Sequence, residues 1–149
     1  MKTLIIHHVQ YMWDSGLRMF HDTNFFEMLD NVIEHIDNSN YSKIIVTNFE
    51  AGFDLDDEQK KLQRFFPEVY DYMYGWEREE VESWGDRIEG KDFCDGGSHS
   101  EVVLIDEWMH NLEGEIDICG AFDGECIEDL EIALQGAGKE FNRLEHLIV

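Results

Sequence analysis

The segment from Ile116 to Gly138, IDICGAFDGECIEDLEIALQGAG, restricts the fold more than any other part of the chain. Its apolar run (Ile116, Ile118, Cys119, Ala121, Phe122) ends in a glycine-containing turn. A helical pattern then opens over Glu125–Gln135, with Ile127, Leu130 and Leu134 on one face. A strand that runs through a short turn into a helix is half of a βαβ unit. Cys126 stands at the start of that helix, where unpaired backbone N–H groups and the macrodipole favour a thiolate.

The rest of the chain repeats this alternation. Thr3–Gln10 (TLIIHHVQ) reads as a buried strand, and Lys43–Phe49 (KIIVTNF) as a second. Between them Phe25, Leu29, Val32, Ile33 and Ile36 recur at helical spacing to about Asp37. Asn24, with Glu27 three residues on, has the spacing of a capping box. Another helix is expected from Asp54–Asp57, with an apolar stripe of Leu62, Phe66, Val69 and Met73 that Pro67 divides. Gly85 to Ser100 reads as a loop, Glu101–Ile105 (EVVLI) as a third strand, Glu115–Phe122 as a fourth and Leu144–Val149 as a last. Alternating strands and helices predict an α/β fold: one three-layer, Rossmann-like domain over 1–149 with a mostly parallel sheet. In such sheets ligands bind beyond the C-terminal ends of the strands.

Composition adds one strong constraint. The 149 residues carry 34 acidic and 11 basic side chains, a net charge of −23 spread along the fold and heaviest in its C-terminal two thirds. Such a surface repels nucleic acid and anionic membrane, so neither is expected as a direct partner. It serves solubility, or it imitates nucleic-acid charge and meets a basic protein groove. The 43% hydrophobic and 13% aromatic content is enough for a packed core. Three cysteines (Cys94, Cys119, Cys126), no stretch near the roughly 20 apolar residues of a membrane span, and no leader-like start predict free thiols in the cytoplasm. No CxxC or zinc-type spacing is present and no cofactor motif is found, so neither a metal nor a cofactor is expected.

Two segments resemble the isochorismatase-like cysteine hydrolases, which include the nicotinamidases. Thr3–Gly16 (TLIIHHVQYMWDSG) is similar to their opening strand and turn, and Gly120–Cys126 followed by Ile127 to their nucleophile turn. Ala133 and Gly138 fall where that family tends to have small residues. The resemblance implies a thiolate nucleophile at Cys126, with an aspartate as proton shuttle and a supporting lysine. His8 occupies the aspartate's position. Lys91 has surroundings unlike the family's lysine motif, and Val46-Thr47-Asn48-Phe49-Glu50 lacks the family's Asp-x-His metal site.

The candidate site is therefore Cys126 with His8, a Cys–His pair at the C-terminal edge of the sheet. His7 and His8 are neighbours on a strand, so their side chains face opposite sides. Asp123, Glu125, Glu128 and Asp129 crowd the thiol and would raise its pKa, so Cys126 reads first as a marker of fold and second as a nucleophile. Asp14, Asp123 and Glu125 with His8 could hold a weak cation, but turn residues of this kind mostly serve the local backbone. The aromatic group Tyr70, Tyr72, Tyr74, Trp76 and Trp84 reads as core or as a partner patch, and Cys94–His99 as a loop without a nucleophile motif. The leading expectation is a non-catalytic binding protein, a pseudoenzyme whose acidic surface meets a basic, nucleic-acid-handling partner. The alternatives are a thiol hydrolase or transferase using Cys126 and His8, and a small-molecule sensor that retains the pocket.

Overall fold

The computed structural model of the protein describes residues 1–7, 23–49, 83–93, 105–121 and 123–149. Among these residues five strands form one sheet: β1 (Lys2–His7), β2 (Lys43–Phe49), β3 (Ile88–Phe93), β4 (Glu115–Gly120) and β5 (Asn142–Ile148). Their order is β3-β2-β1-β4-β5, and every pairing is parallel. The helices are α1 (Thr23–Asp37), the short α2 (Glu107–His110) and α3 (Cys126–Gly136).

Alternation along the strands sorts the apolar residues into two layers. Leu4 and Ile6 of β1, Ile44 and Val46 of β2, and Cys119 of β4 face α1 and pack on Met28, Leu29, Val32 and Ile36. Ile5, Ile45, Ile116 and Ile118 face the other way, onto Met109, Leu112, Ile127, Leu130, Ala133 and Leu134. Both faces of the central strands are thus covered, which is why they read as continuous apolar runs. The expected three-layer α/β architecture with a parallel sheet is the one observed.

One strand lies where the sequence pattern indicates a loop. The loop expected over Gly85–Ser100 instead holds a 3-10 turn, Gly85–Arg87, and strand β3. In β3 (IEGKDF) Ile88 and Phe93 are buried at the two ends, and Gly90 interrupts the alternation, so no strand pattern shows. Its polar residues serve the rim: Glu89 takes the Lys43 ammonium at 2.8 Å and the Lys91 ammonium at 3.7 Å. Of the third strand expected at Glu101–Ile105, residues 101–104 lie outside the described residues, and Ile105 is not in a strand. The helix expected from Asp54 and the tyrosines that follow it also lie outside the described residues. β5 begins two residues before the expected Leu144.

The tightest point in the sheet is where β4 leaves β1. Gly120 has φ +117°, and a Cβ there would stand 2.1 Å from the His7 carbonyl oxygen. The same oxygen accepts the Ala121 N–H at 2.9 Å. Gly120→Ala should therefore cost at least about 2 kcal/mol, from the left-handed backbone and the clash together. Gly124→Ala has φ +75° but open space around the new methyl, so it should lose only about 1 kcal/mol. Urea denaturation of the two variants checks the difference.

Candidate active site

The strand order changes direction between β1 and β4, because β2 and β3 continue on one side and β4 and β5 on the other. This switch point, at the C-terminal ends of the strands, is where an open α/β sheet leaves a crevice. His7, Gly120 and Ala121 stand there, and the turn that follows leads to Cys126. Cys126 opens α3 and is half-buried. The preceding Glu125 makes no side-chain cap, so its carboxylate leaves the first-turn N–H groups of α3 to other acceptors.

The histidine that the structure places on the α3 side is His7. It alternates with Ile5, is fully buried, and lies edge-on to Phe93 with ring centroids 4.7 Å apart. Its Nδ1 is 2.6 Å from the Thr47 hydroxyl, which in turn lies 3.5 Å from the Ile6 carbonyl. The short contact fixes the ring against β2, with Nδ1 turned to the hydroxyl. The adjacent pair HH carries no signal for this choice, because strand register decides which histidine meets which face. His8, Asp14 and Cys94 lie outside the described residues.

The acids around the turn are less unbalanced than their sequence positions imply. Arg143 of β5 reaches three carboxylates: Glu145 at 2.7 Å through Nε, Asp123 at 2.8 Å through one terminal nitrogen, and Glu131 of α3 through the other. Glu145, Asp123 and Glu131, in that order, hold the guanidinium firmly protonated. The Asp123 amide donates to the Val149 carbonyl at 2.7 Å, and the Val149 amide to the Gly120 carbonyl at 3.1 Å. Asp123 is thus tied by backbone and side chain to the end of β5, and is not a free cation ligand. Among the described residues no group of three or more His, Cys, Asp or Glu could hold a metal ion.

The other thiol has a different character. Cys119 is fully buried in the α1 layer, and burial, then the Asp117 charge, push its pKa far above the ordinary thiol range. Asp117 itself centres a polar seam toward the N-terminal end of β4. Burial alone would raise its pKa. The Tyr41 hydroxyl at 2.5 Å, the Asn142 amide at 3.1 Å and the Lys2 ammonium at 3.3 Å outweigh that and hold it below its ordinary 3.8. An open cavity of about 620 Å³, lined by Glu115, Ile116, Gln135, Lys139, Phe141 and Asn142 among others, lies next to this edge and does not include Cys126.

No protein-family model matches the chain, and no curated protein matches it. A solved nicotinamidase from Staphylococcus aureus is similar in structure over 99% of this chain and 83% of its own, with a TM-score of 0.59 and 12% sequence identity. At that identity the likeness shows the fold alone: the parallel sheet with flanking helices described above matches the α/β fold of that nicotinamidase.

Because the folded-state pKa of Asp117 is depressed, its contribution is complete above pH 3.8 and is lost as pH falls below that value. Asp117→Asn should cost about 1–3 kcal/mol at pH 7 and remove that part of the acid limb. Urea titrations at pH 7 and pH 3 measure both effects.

Proposed function

We propose that the protein is a non-catalytic binding protein built on a nicotinamidase-type scaffold, and that its acidic surface recognises a basic, nucleic-acid-handling partner protein. The observation that carries the reading is the charge of −23 together with the use made of the cations. Among the described residues every lysine and arginine is engaged by the fold. Lys2 meets Asp117, Lys43 and Lys91 meet Glu89, and Arg143 meets its three carboxylates. Arg87 bonds the Trp84 and Tyr41 carbonyls, and Lys139 bonds the Leu112 carbonyl.

Among the described residues most acidic side chains face water. Along α1, Glu27, Asp30, Glu34 and Asp37 are all exposed, at helical spacings of three and four. Like charges at these spacings destabilise a helix by about 0.2–0.5 kcal/mol per pair. At 1.5 Å rise per residue they set one negative charge every 4.5–6 Å, a spacing of the same order as phosphates along a nucleic-acid strand. The histidine in place of the catalytic aspartate and the missing lysine motif support a scaffold without the inherited reaction.

Binding to purified nucleic-acid-binding proteins, with duplex DNA as competitor, tests this. Affinity should fall about a hundredfold between 50 and 200 mM salt if four carboxylates stand in for phosphates. Replacing Glu27, Asp30, Glu34 and Asp37 by their amides should weaken binding at least tenfold. Binding that ignores salt, or no binding to any basic partner, overturns the reading.

The half-buried thiol at the head of α3 favours one further reading, a thiol hydrolase or transferase. It predicts that iodoacetamide labels Cys126 at neutral pH faster than Cys94, with Cys119 unlabelled until unfolding. It also predicts that His8→Ala or His7→Gln slows Cys126 labelling at least tenfold. Labelling of Cys126 at the rate of an ordinary exposed thiol in all three proteins removes that reading.

A further inference from the structure

The last strand is irregular. Ile118 pairs with Arg143 and Gly120 with Ile148, so β4 advances two residues while β5 advances five. The surplus is a bulge over Leu144–Leu147, and bulges mark places where pairing can be re-aimed or ended. The bulge rests on α1 through Leu144 and Leu147, beside Ile33. It also carries His146, whose ring stands edge-on to His35 of α1 with centroids 6.0 Å apart.

His35 is held in a defined state. Tyr41 gives its only hydroxyl proton to Asp117 at 2.5 Å, so at 2.8 Å from the same oxygen His35 Nε2 must be the donor. A proton arriving on His35 therefore takes Nδ1 and makes the ring a cation without breaking the Tyr41 link. The charged and titratable groups that face it are Tyr41 before β2, Asp117 on β4, Lys2 on β1 and His146 on β5. Asp117 is the single anion among them, and its oxygens already serve Tyr41, Asn142 and Lys2. Burial first, then His146, hold the His35 pKa below its ordinary 6.5, while Asp117 opposes them and Lys2 adds to them. The neutral ring is thus the native one at neutral pH. The contribution of His35 to stability is complete above pH 6.5 and declines as pH falls through the histidine range.

We propose that the bulged segment of β5 is an acid-released latch. The segment is seated on α1 beside the neutral His35 ring, and protonation of His35, for which Asp117 has no uncommitted oxygen, frees the end of β5. What that end holds gives the release a consequence. Val149 bonds both Gly120 and Asp123, and Arg143 bonds Asp123, so the turn between β4 and Cys126 is fastened to β5. Loosening the strand at low pH loosens the turn at the switch point, some distance from the two rings themselves. This device stands whether or not Cys126 has a reaction, because it concerns the seam and the turn alone.

Amide exchange of Asp123 and Val149 in the full chain, corrected for intrinsic exchange chemistry, reads the release directly. Protection at both amides should fall at least tenfold between pH 7.5 and pH 5.0, with much smaller changes at the central β1 amides of Leu4 to Ile6. His35→Gln, which can still donate to Tyr41, should keep wild-type protection at pH 7.5 and flatten the pH response to within twofold. A wild-type response that is flat overturns the latch. So does a tenfold fall that persists in His35→Gln, since that ring would then not be its cause.

Discussion

Strand β1 is hydrogen-bonded on both sides and covered on both faces, and the other elements take their places from it. Its neighbours β2 and β4 pair with it in register from Thr3 to His7 and from Lys2 to His7. Leu4, Ile5 and Ile6 are inaccessible to water, and they divide alternately between the α1 layer and the α3 layer. A strand buried in this way cannot slip by one residue without exchanging its two packed faces. The register it imposes brings Gly120 against the His7 carbonyl, and only a glycine backbone permits that approach. The switch point, the turn and the position of Cys126 at the head of α3 follow from this one contact.

The second organising feature is how few cations serve so many carboxylates. Arg143 joins the β4–α3 turn, α3 and β5 through one guanidinium, which is why a strand at the rim of the sheet can define the geometry of a distant turn. Lys2 and Tyr41 do the equivalent on the opposite face of the sheet, where Asp117 would otherwise be an unpaired buried charge. Among the described residues the cations are all paired or bonded within the fold, and the exposed face of α1 keeps an uncompensated negative field. That field follows from the distribution of pairs, and composition alone indicates only its sign.

Much of the framework is legible in the amino-acid order. The apolar runs of β1, β2 and β4 and the helical periodicities of α1 and α3 are long and unbroken, because each of these elements is buried on a full face or on two. β3 was hidden because a rim strand needs little apolar surface: IEGKDF spends its middle on Glu89 and Lys91, which meet across the edge. α2, at four residues, is shorter than the period needed to reveal it. At the candidate site, the position of Cys126 at a strand-to-helix turn could be read locally. The partners of that turn could not, since Arg143 and Val149 reach it from the last strand.

The amino-acid order alone specifies the alternation of strands and helices, the parallel α/β class that this implies, the glycine-bounded turn before Cys126, and the excess of acid. These are local or summed properties, set by the spacing of side chains along a few residues or by their total. It took the packed fold to place His7 against Phe93 in the α3 layer, to hold Asp117 as a buried anion, and to bring His146 of the β5 bulge against His35. Each of those depends on register between strands far apart in the chain, and register is a property of the packed sheet as a whole.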